Sequence, residues 1–209
     1  IREITVAAKM GGTDVSSNSR LRLALSKANA ANVPKDTVKR AIDKASGQNN
    51  DNFEEITYEG YGPKGIAVII ECLTDNKNRT VSELRYVLSK HGGSLGTNGS
   101  VSHLFRKIGI LKLLSISEDD LLEHMENIDI EDFELIDNDC IIFTKPNILF
   151  EAKKYFESKS IKVVDEEISM DALTMVEISI DDQEKISDLS SKIEELDDVQ
   201  NVYMNVNLS

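Results

Sequence analysis

Residues 66–79 read Ile66-Ala67-Val68-Ile69-Ile70-Glu71-Cys72-Leu73-Thr74-Asp75-Asn76-Lys77-Asn78-Arg79, and this stretch decides the fold. A run of β-branched and aliphatic residues without Gly or Pro, cut off by polar residues of the capping type, is a buried strand passing into a helix. The reading predicts a strand over 65–73, Thr74-Asp75 as the cap, and a helix to about Lys90. Extended chain over 100–114 then completes a β-α-β unit.

Working toward the C-terminus, the same pattern recurs. A strand over 174–180 leads to a helix over 182–196 with Ile186, Leu189, Ile193 and Leu196 on one face. A strand over 199–208 follows, alternating through Val202, Met204, Val206 and Leu208. Two such units predict one shared sheet. Between them, residues 117–171 give a short acidic helix, a hairpin turning at Asp137-Asn138, a helix over 147–158 and a strand over 161–168, a pattern that predicts an inserted subdomain.

Working toward the N-terminus, residues 14–32 and 34–46 are two amphipathic helices. Leu21, Ala24, Leu25 and Ala28 form one apolar stripe, and Val38, Ala41, Ile42 and Ala45 the other. Pro34 fits a first helical turn, Asp36 suits its positive end, and Gly47 ends the second helix before a polar linker over 48–52. Packing these stripes on each other and on the segment from Ile4 to Met10 leaves the basic residues outside. The expected class is α+β in three pieces: a basic helical bundle (1–52), a discontinuous α/β domain of ferredoxin-like β-α-β type (53–115 with 172–209), and an inserted acidic α/β subdomain (116–171).

Composition narrows the function. With 209 residues, 40% hydrophobic and 29% charged, the chain folds rather than staying disordered. The longest apolar run, 66–70, is far short of the roughly 20 residues that span a membrane. Cys72 and Cys140 lie far apart in apolar strands and read as reduced core thiols, which fits a cytoplasmic location. The chain begins at Ile1 rather than Met, so a further segment upstream is expected.

The net charge of −13 argues against nucleic acid only as an average. Residues 1–50 hold nine Lys/Arg against four Asp/Glu, a net +5, whereas residues 113–209 hold seven against 26, a net −19. Such segregation predicts a basic surface for phosphates and an acidic one that faces solvent or a basic protein partner. The candidate nucleic-acid contacts are Lys9, Arg20, Arg22, Lys27, Lys35, Lys39, Arg40 and Lys44, with Tyr61, Lys64 and Arg79 as secondary contacts. Two short basic helices around Pro34 only loosely suggest a helix-turn-helix, so affinity without a base code is the expectation.

Catalytic signals are weak. His91, His103 and His124 lack metal-ligand spacing, there is no nucleophile elbow, and neither Cys has a His nearby in sequence. No metal, cofactor or catalytic residue is assigned and the chain is read as a non-enzyme. A Mg²⁺-dependent phosphoesterase built on Glu71 and Asp75 is the remote alternative, set against Asp75 as a helix cap. The glycines of 91–99 bare N–H groups that suit a phosphate, but no Gly-Lys-Ser/Thr closes them, so a tight loop is expected.

Specific strings support a family resemblance. Gly11-Gly12-Thr13-Asp14, Asn18-Ser19-Arg20-Leu21-Arg22, Tyr58-Glu59-Gly60-Tyr61-Gly62-Pro63, Leu73-Thr74-Asp75-Asn76 and Gly92-Gly93-Ser94-Leu95-Gly96 resemble the signature stretches of the YebC/PmpR family, from about Gly11 to the C-terminus. The resemblance implies three domains, a cytoplasmic location and a DNA-binding transcriptional regulator. For other members it implies action in translation, including relief of ribosome stalling. Members normally begin with a Lys-rich segment carrying a His-Ser-Lys-Trp string, and this chain starts after it. DNA and the ribosome both remain open as the main target, and oligomeric state is not legible.

Overall fold

The computed structural model describes residues 1–46 and 53–208. Among the described residues, seven α-helices and eight strands follow in chain order. These are α1 (Arg2–Gly11), α2 (Ser19–Ala30), α3 (Lys35–Ser46), β1 (Glu54–Tyr61), β2 (Ala67–Thr74), α4 (Lys77–Lys90), β3 (Ser94–Leu95), β4 (Phe105–Leu114), α5 (Glu118–Met125), β5 (Asp132–Ile136), β6 (Asp139–Thr144), α6 (Leu149–Ser158), β7 (Lys162–Ala172), α7 (Ile180–Glu194) and β8 (Val199–Met204). The α+β class holds, and the chain divides into two compact units, residues 1–106 with 172–209, and residues 107–171.

In the first unit one sheet runs β3-β1-β2-β8, with β1 antiparallel to both β3 and β2, and β2 antiparallel to β8. Helices α4 and α7 cover one face, where Ile66, Val68, Ile70 and Cys72 meet Leu84, Leu88, Ile186, Leu189 and Ile193. Since β2 is buried on both faces, it reads as a continuous apolar run rather than an alternation. Where β1 meets β3, backbones approach closely: a Cβ on Gly93 would lie 2.4 Å from the Tyr61 carbonyl oxygen.

Three local expectations are corrected. Residues 100–114 do not return to the first sheet. After a 3-10 turn at Ser102–Leu104 they become β4, which pairs with β6 and β7 in the second unit's sheet, ordered β5-β6-β4-β7. Leu111 and Leu113 find their core there, against Cys140, Ile142 and Phe156. The strand expected over 174–180 shrinks to one parallel bridge, Val176 to Val206, because Ser179 accepts from the Asp182 N–H and starts α7 early. Finally, Asp75 does not cap α4. Asn76 does, its side chain accepting from the Arg79 N–H at 3.1 Å.

The N-terminal residues form three helices around a small aliphatic core of Ile4, Ala7, Ala8, Leu21, Ala24, Ala28 and Ala41. The segment from Ile4 to Met10 is itself helical, and α2 starts at Ser19 rather than near 14, because Asp14 folds an Asx turn onto Ser16. Gly47 and the linker over 48–52 lie outside the described residues.

Candidate nucleic-acid interface

Asn18 sets the geometry of the bundle. Buried between α1 and α2, its Oδ1 accepts from the Leu21 N–H at 2.9 Å, while its Nδ2 donates to the carbonyls of Ala7 and Gly12, each at 2.7 Å. One side chain thereby caps α2 and ties down the end of α1. The Gly11-Gly12 pair makes room: a Cβ on Gly11 would lie 2.6 Å from Asn18 Nδ2, and Gly12 sits at φ 84, where glycine is favoured.

With the stripes locked inward, the basic residues separate into two groups. Arg20 is structural: half-buried, it donates from Nε to Glu3 at 2.7 Å and from Nη2 to both Glu3 and Glu55, joining α1, α2 and the start of β1. Arg22 turns back, its Nη1 donating to the carbonyls of Val15 and Ser16 at 2.7 and 2.8 Å. Arg40 is exposed and its Nε donates to the Asp36 carbonyl. Lys9 is exposed at the end of α1 but also has an intramolecular contact.

Lys27, Lys35 and Lys39 are different: all are exposed and make no hydrogen bond or ion pair among the described residues. The side chain of Lys44 lies outside the described residues. Lys35 and Lys39 stand one turn apart on α3, over a groove of about 280 Å³ whose lining includes Leu25, Val33, Val38 and Ile42. An apolar floor with ammonium groups at its rim can hold phosphate oxygens without fixed direction, as Lys does.

The secondary residues have other work. Tyr61 donates its hydroxyl to the Ser100 carbonyl at 3.3 Å. Lys64, at φ 61 in the turn before β2, lies 3.6 Å from Asp182. Arg79 is spent on Asp75 and on the buried carboxylate of Asp198, which hold its guanidinium pKa above the ordinary value.

The glycine-rich loop is no phosphate cradle either, since the N–H groups of Gly92, Gly93 and Gly96 donate to the carbonyls of Ser89, Leu88 and Glu59, and that of Gly99 to a carboxylate. Glu59, buried in β1, accepts from Gly99 and Val101 at 2.7 Å and from Ser102 at 2.8 Å. Burial alone would raise its pKa, but these three donors outweigh burial and hold it below the usual range. Glu71 accepts from Asn201 Nδ2 at 3.0 Å, and among the described residues no three His, Cys, Asp or Glu side chains gather as a metal site. Among the described residues no helix is long and apolar enough to cross a membrane.

The outward face of α4 carries no motif, and only its helical wheel picks it out. Opposite buried Thr80, Leu84, Val87 and Leu88 stand Asn78, Ser82, Arg85, Tyr86, Ser89 and Lys90, with half-exposed Glu83 at the edge of that face.

Comparison with known proteins places this architecture. The family model described as the TACO1/YebC protein N-terminal domain matches residues 1–48, and the TACO1/YebC second and third domain matches residues 53–206. Proteins named "Probable transcriptional regulatory protein" from Francisella philomiragia and Pseudomonas putida are 45% and 44% identical, over all of this chain and 86% of their own. A crystal structure of a conserved hypothetical protein from Aquifex aeolicus superposes with a TM-score of 0.86 at 39% identity, covering 99% of this chain and 86% of that one. Matched by these models along nearly all its length, the chain belongs to the TACO1/YebC family.

Proposed function

We propose that this protein is a non-enzymatic regulator of gene expression that binds nucleic acid through its N-terminal helices, with duplex DNA as the first target and a cytoplasmic site of action. One observation carries the reading. In a chain of net charge −13, Lys27, Lys35 and Lys39 stand exposed, without a carboxylate partner among the described residues. Each lysine that meets a phosphate releases condensed counterions, a gain that needs no base-specific geometry. Exposed Lys9 and Arg40 add to the positive charge of the same helices, and Lys44 completes the cationic set of the sequence. Regulator naming among the relatives agrees with this reading.

A second reading, an RNA- or ribosome-associated translation factor, is favoured by the charge split: residues 113–209 carry a net −19. Ribosomes offer phosphates to the basic helices and basic proteins to an acidic surface.

Duplex-DNA titration at two salt concentrations, beside sucrose-gradient sedimentation with ribosomes, separates the two readings. For DNA regulation the expected result is salt-sensitive duplex binding that a Lys27→Glu/Lys35→Glu/Lys39→Glu variant loses by at least about tenfold. Co-sedimentation with weak, sequence-blind duplex binding supports the translation reading. A triple variant that keeps full affinity for every target removes the bundle as the site.

A further inference from the structure

Among the described side chains, all arginines but one are spent on the fold. Arg20, Arg22, Arg40 and Arg79 hold carboxylates or carbonyls, and Arg106 also has an intramolecular partner. Arg85 does not: exposed on the outer face of α4, it makes no hydrogen bond or ion pair among the described residues. That is notable in a protein with 37 acids against 24 bases. The next residue, Tyr86, leaves 62% of its surface in solvent although it is aromatic. Its hydroxyl accepts from Lys90 Nζ at 3.0 Å, and that ammonium lies 5.2 Å from the ring centroid. Ser82 and Ser89 flank them with small side chains turned to the helix's own carbonyls, Asn78 and Tyr86 respectively.

An exposed aromatic ring with Lys90 over it and Arg85 beside it, two cations against the single half-exposed carboxylate of Glu83 one turn before the ring, matches a particular chemistry. The ring offers a π-face to a nucleobase, and the cations meet the phosphates on either side. A duplex hides its base faces, so the ligand must present an unpaired base. We propose that the outer face of α4 is a second nucleic-acid contact, which takes an unpaired base of a single strand on Tyr86 and its flanking phosphates on Arg85 and Lys90. The proposal rests on the nucleic-acid reading above but uses none of the residues of the bundle.

The test titrates the full chain with a labelled oligouridine of about a dozen nucleotides, long enough to cover one single-strand site. Tyr86→Ala should weaken binding about 5- to 100-fold, Tyr86→Phe should stay within about twofold, and Arg85→Ala should reduce the salt slope by about 0.7. Thermal melts of all three should match the parent, since these side chains are exposed. Unchanged affinity in Tyr86→Ala overturns the proposal, as does Tyr86→Phe failing equally, because stacking needs the ring and not the hydroxyl. A parent protein that binds duplex but not oligouridine also overturns it, leaving the bundle reading intact. Loss of duplex binding in the triple-lysine variant concerns the bundle alone.

Discussion

Arg79 and Asp198 lie 119 residues apart in sequence and form a bidentate pair, with Nη2 2.9 and 2.8 Å from the two carboxylate oxygens and Nε at 3.2 Å. Asp198 is fully buried, and it also accepts from the hydroxyls of Thr74 at 3.0 Å and Thr80 at 2.9 Å. Its carbonyl takes the Leu73 N–H at 2.8 Å. This one residue therefore joins the end of β2, the first turn of α4 and the entry to β8.

Removing the carboxylate should take away the acceptor that the buried Thr74 and Thr80 hydroxyls share and leave the Arg79 guanidinium with Asp75 alone. Because Arg79 is partly exposed and keeps Asp75, Asp198→Ala is expected to cost about 1–3 kcal/mol, the range for leaving buried polar groups without their acceptor. Urea denaturation checks it, and a loss under about 1 kcal/mol would mean that water replaces the carboxylate.

Acid sensitivity should come from Asp198 and Glu59 together. Burial alone would raise both, but donors from Arg79, Thr80 and Thr74, and the N–H groups of Gly99, Val101 and Ser102, bring each below its ordinary value. A depressed carboxylate stabilises the fold fully above its unfolded pKa near about 4, and that contribution disappears as pH falls through the folded value. Stability should thus be flat from about pH 6 to 8 and fall steeply in acid. In Glu59→Gln the acid slope should shrink, and amide exchange at Gly99, Val101 and Ser102 should quicken even at neutral pH. An unchanged slope and unchanged exchange would show that loop 96–102 does not depend on this carboxylate.

Much of this was legible in the sequence. Apolar period and turn residues located β2, α4, α7 and the hairpin at Asp137-Asn138, because local pattern follows burial, whereas the caps of α4 and α7 fell on Asn76 and Ser179. Pattern does not say which sheet a strand joins. β4 read as the return of the first unit, yet its alternating Leu111 and Leu113 fit the second unit's core equally well. Charge patterning gave a basic N-terminal segment correctly, but a lysine or arginine in sequence does not reveal its partner. Arg20 looks like Lys35 until Glu55, 35 residues away, is placed beside it. Asn18 and Glu59 were visible only as polar residues in motif-like strings; their hydrogen bonds are tertiary.

That sorting of cations makes a double dissociation. Arg20→Gln breaks contacts to Glu3 and Glu55 that are partly shielded from water, so it should lower the melting temperature, at a cost of roughly 1–3 kcal/mol, while nucleic-acid affinity per folded molecule changes little. Lys35→Glu/Lys39→Glu should do the reverse: affinity and salt slope fall, while the melt stays within about 0.5 kcal/mol. Thermal melts paired with duplex titrations on both proteins read the difference. Equal loss of affinity in the Arg20 variant would place that guanidinium at the interface instead.

The two cysteines provide one reporter in each compact unit. Cys72 sits under α4 and α7 with its thiol pushed up to about 12, by burial first and then by the charges of Asp198 and Glu71. Burial alone lifts Cys140 in the second unit to about 11. Only the thiolate attacks iodoacetamide, so at pH 8 neither cysteine should react in the native state, and labelling should follow local or global opening. Asp198→Ala weakens the unit that contains Cys72, and should therefore speed labelling of Cys72 well before Cys140, as read by peptide mass spectrometry over time. If both thiols accelerate equally, the units open as one cooperative body. If Cys140 leads, the Asp198 network does not hold the first unit together.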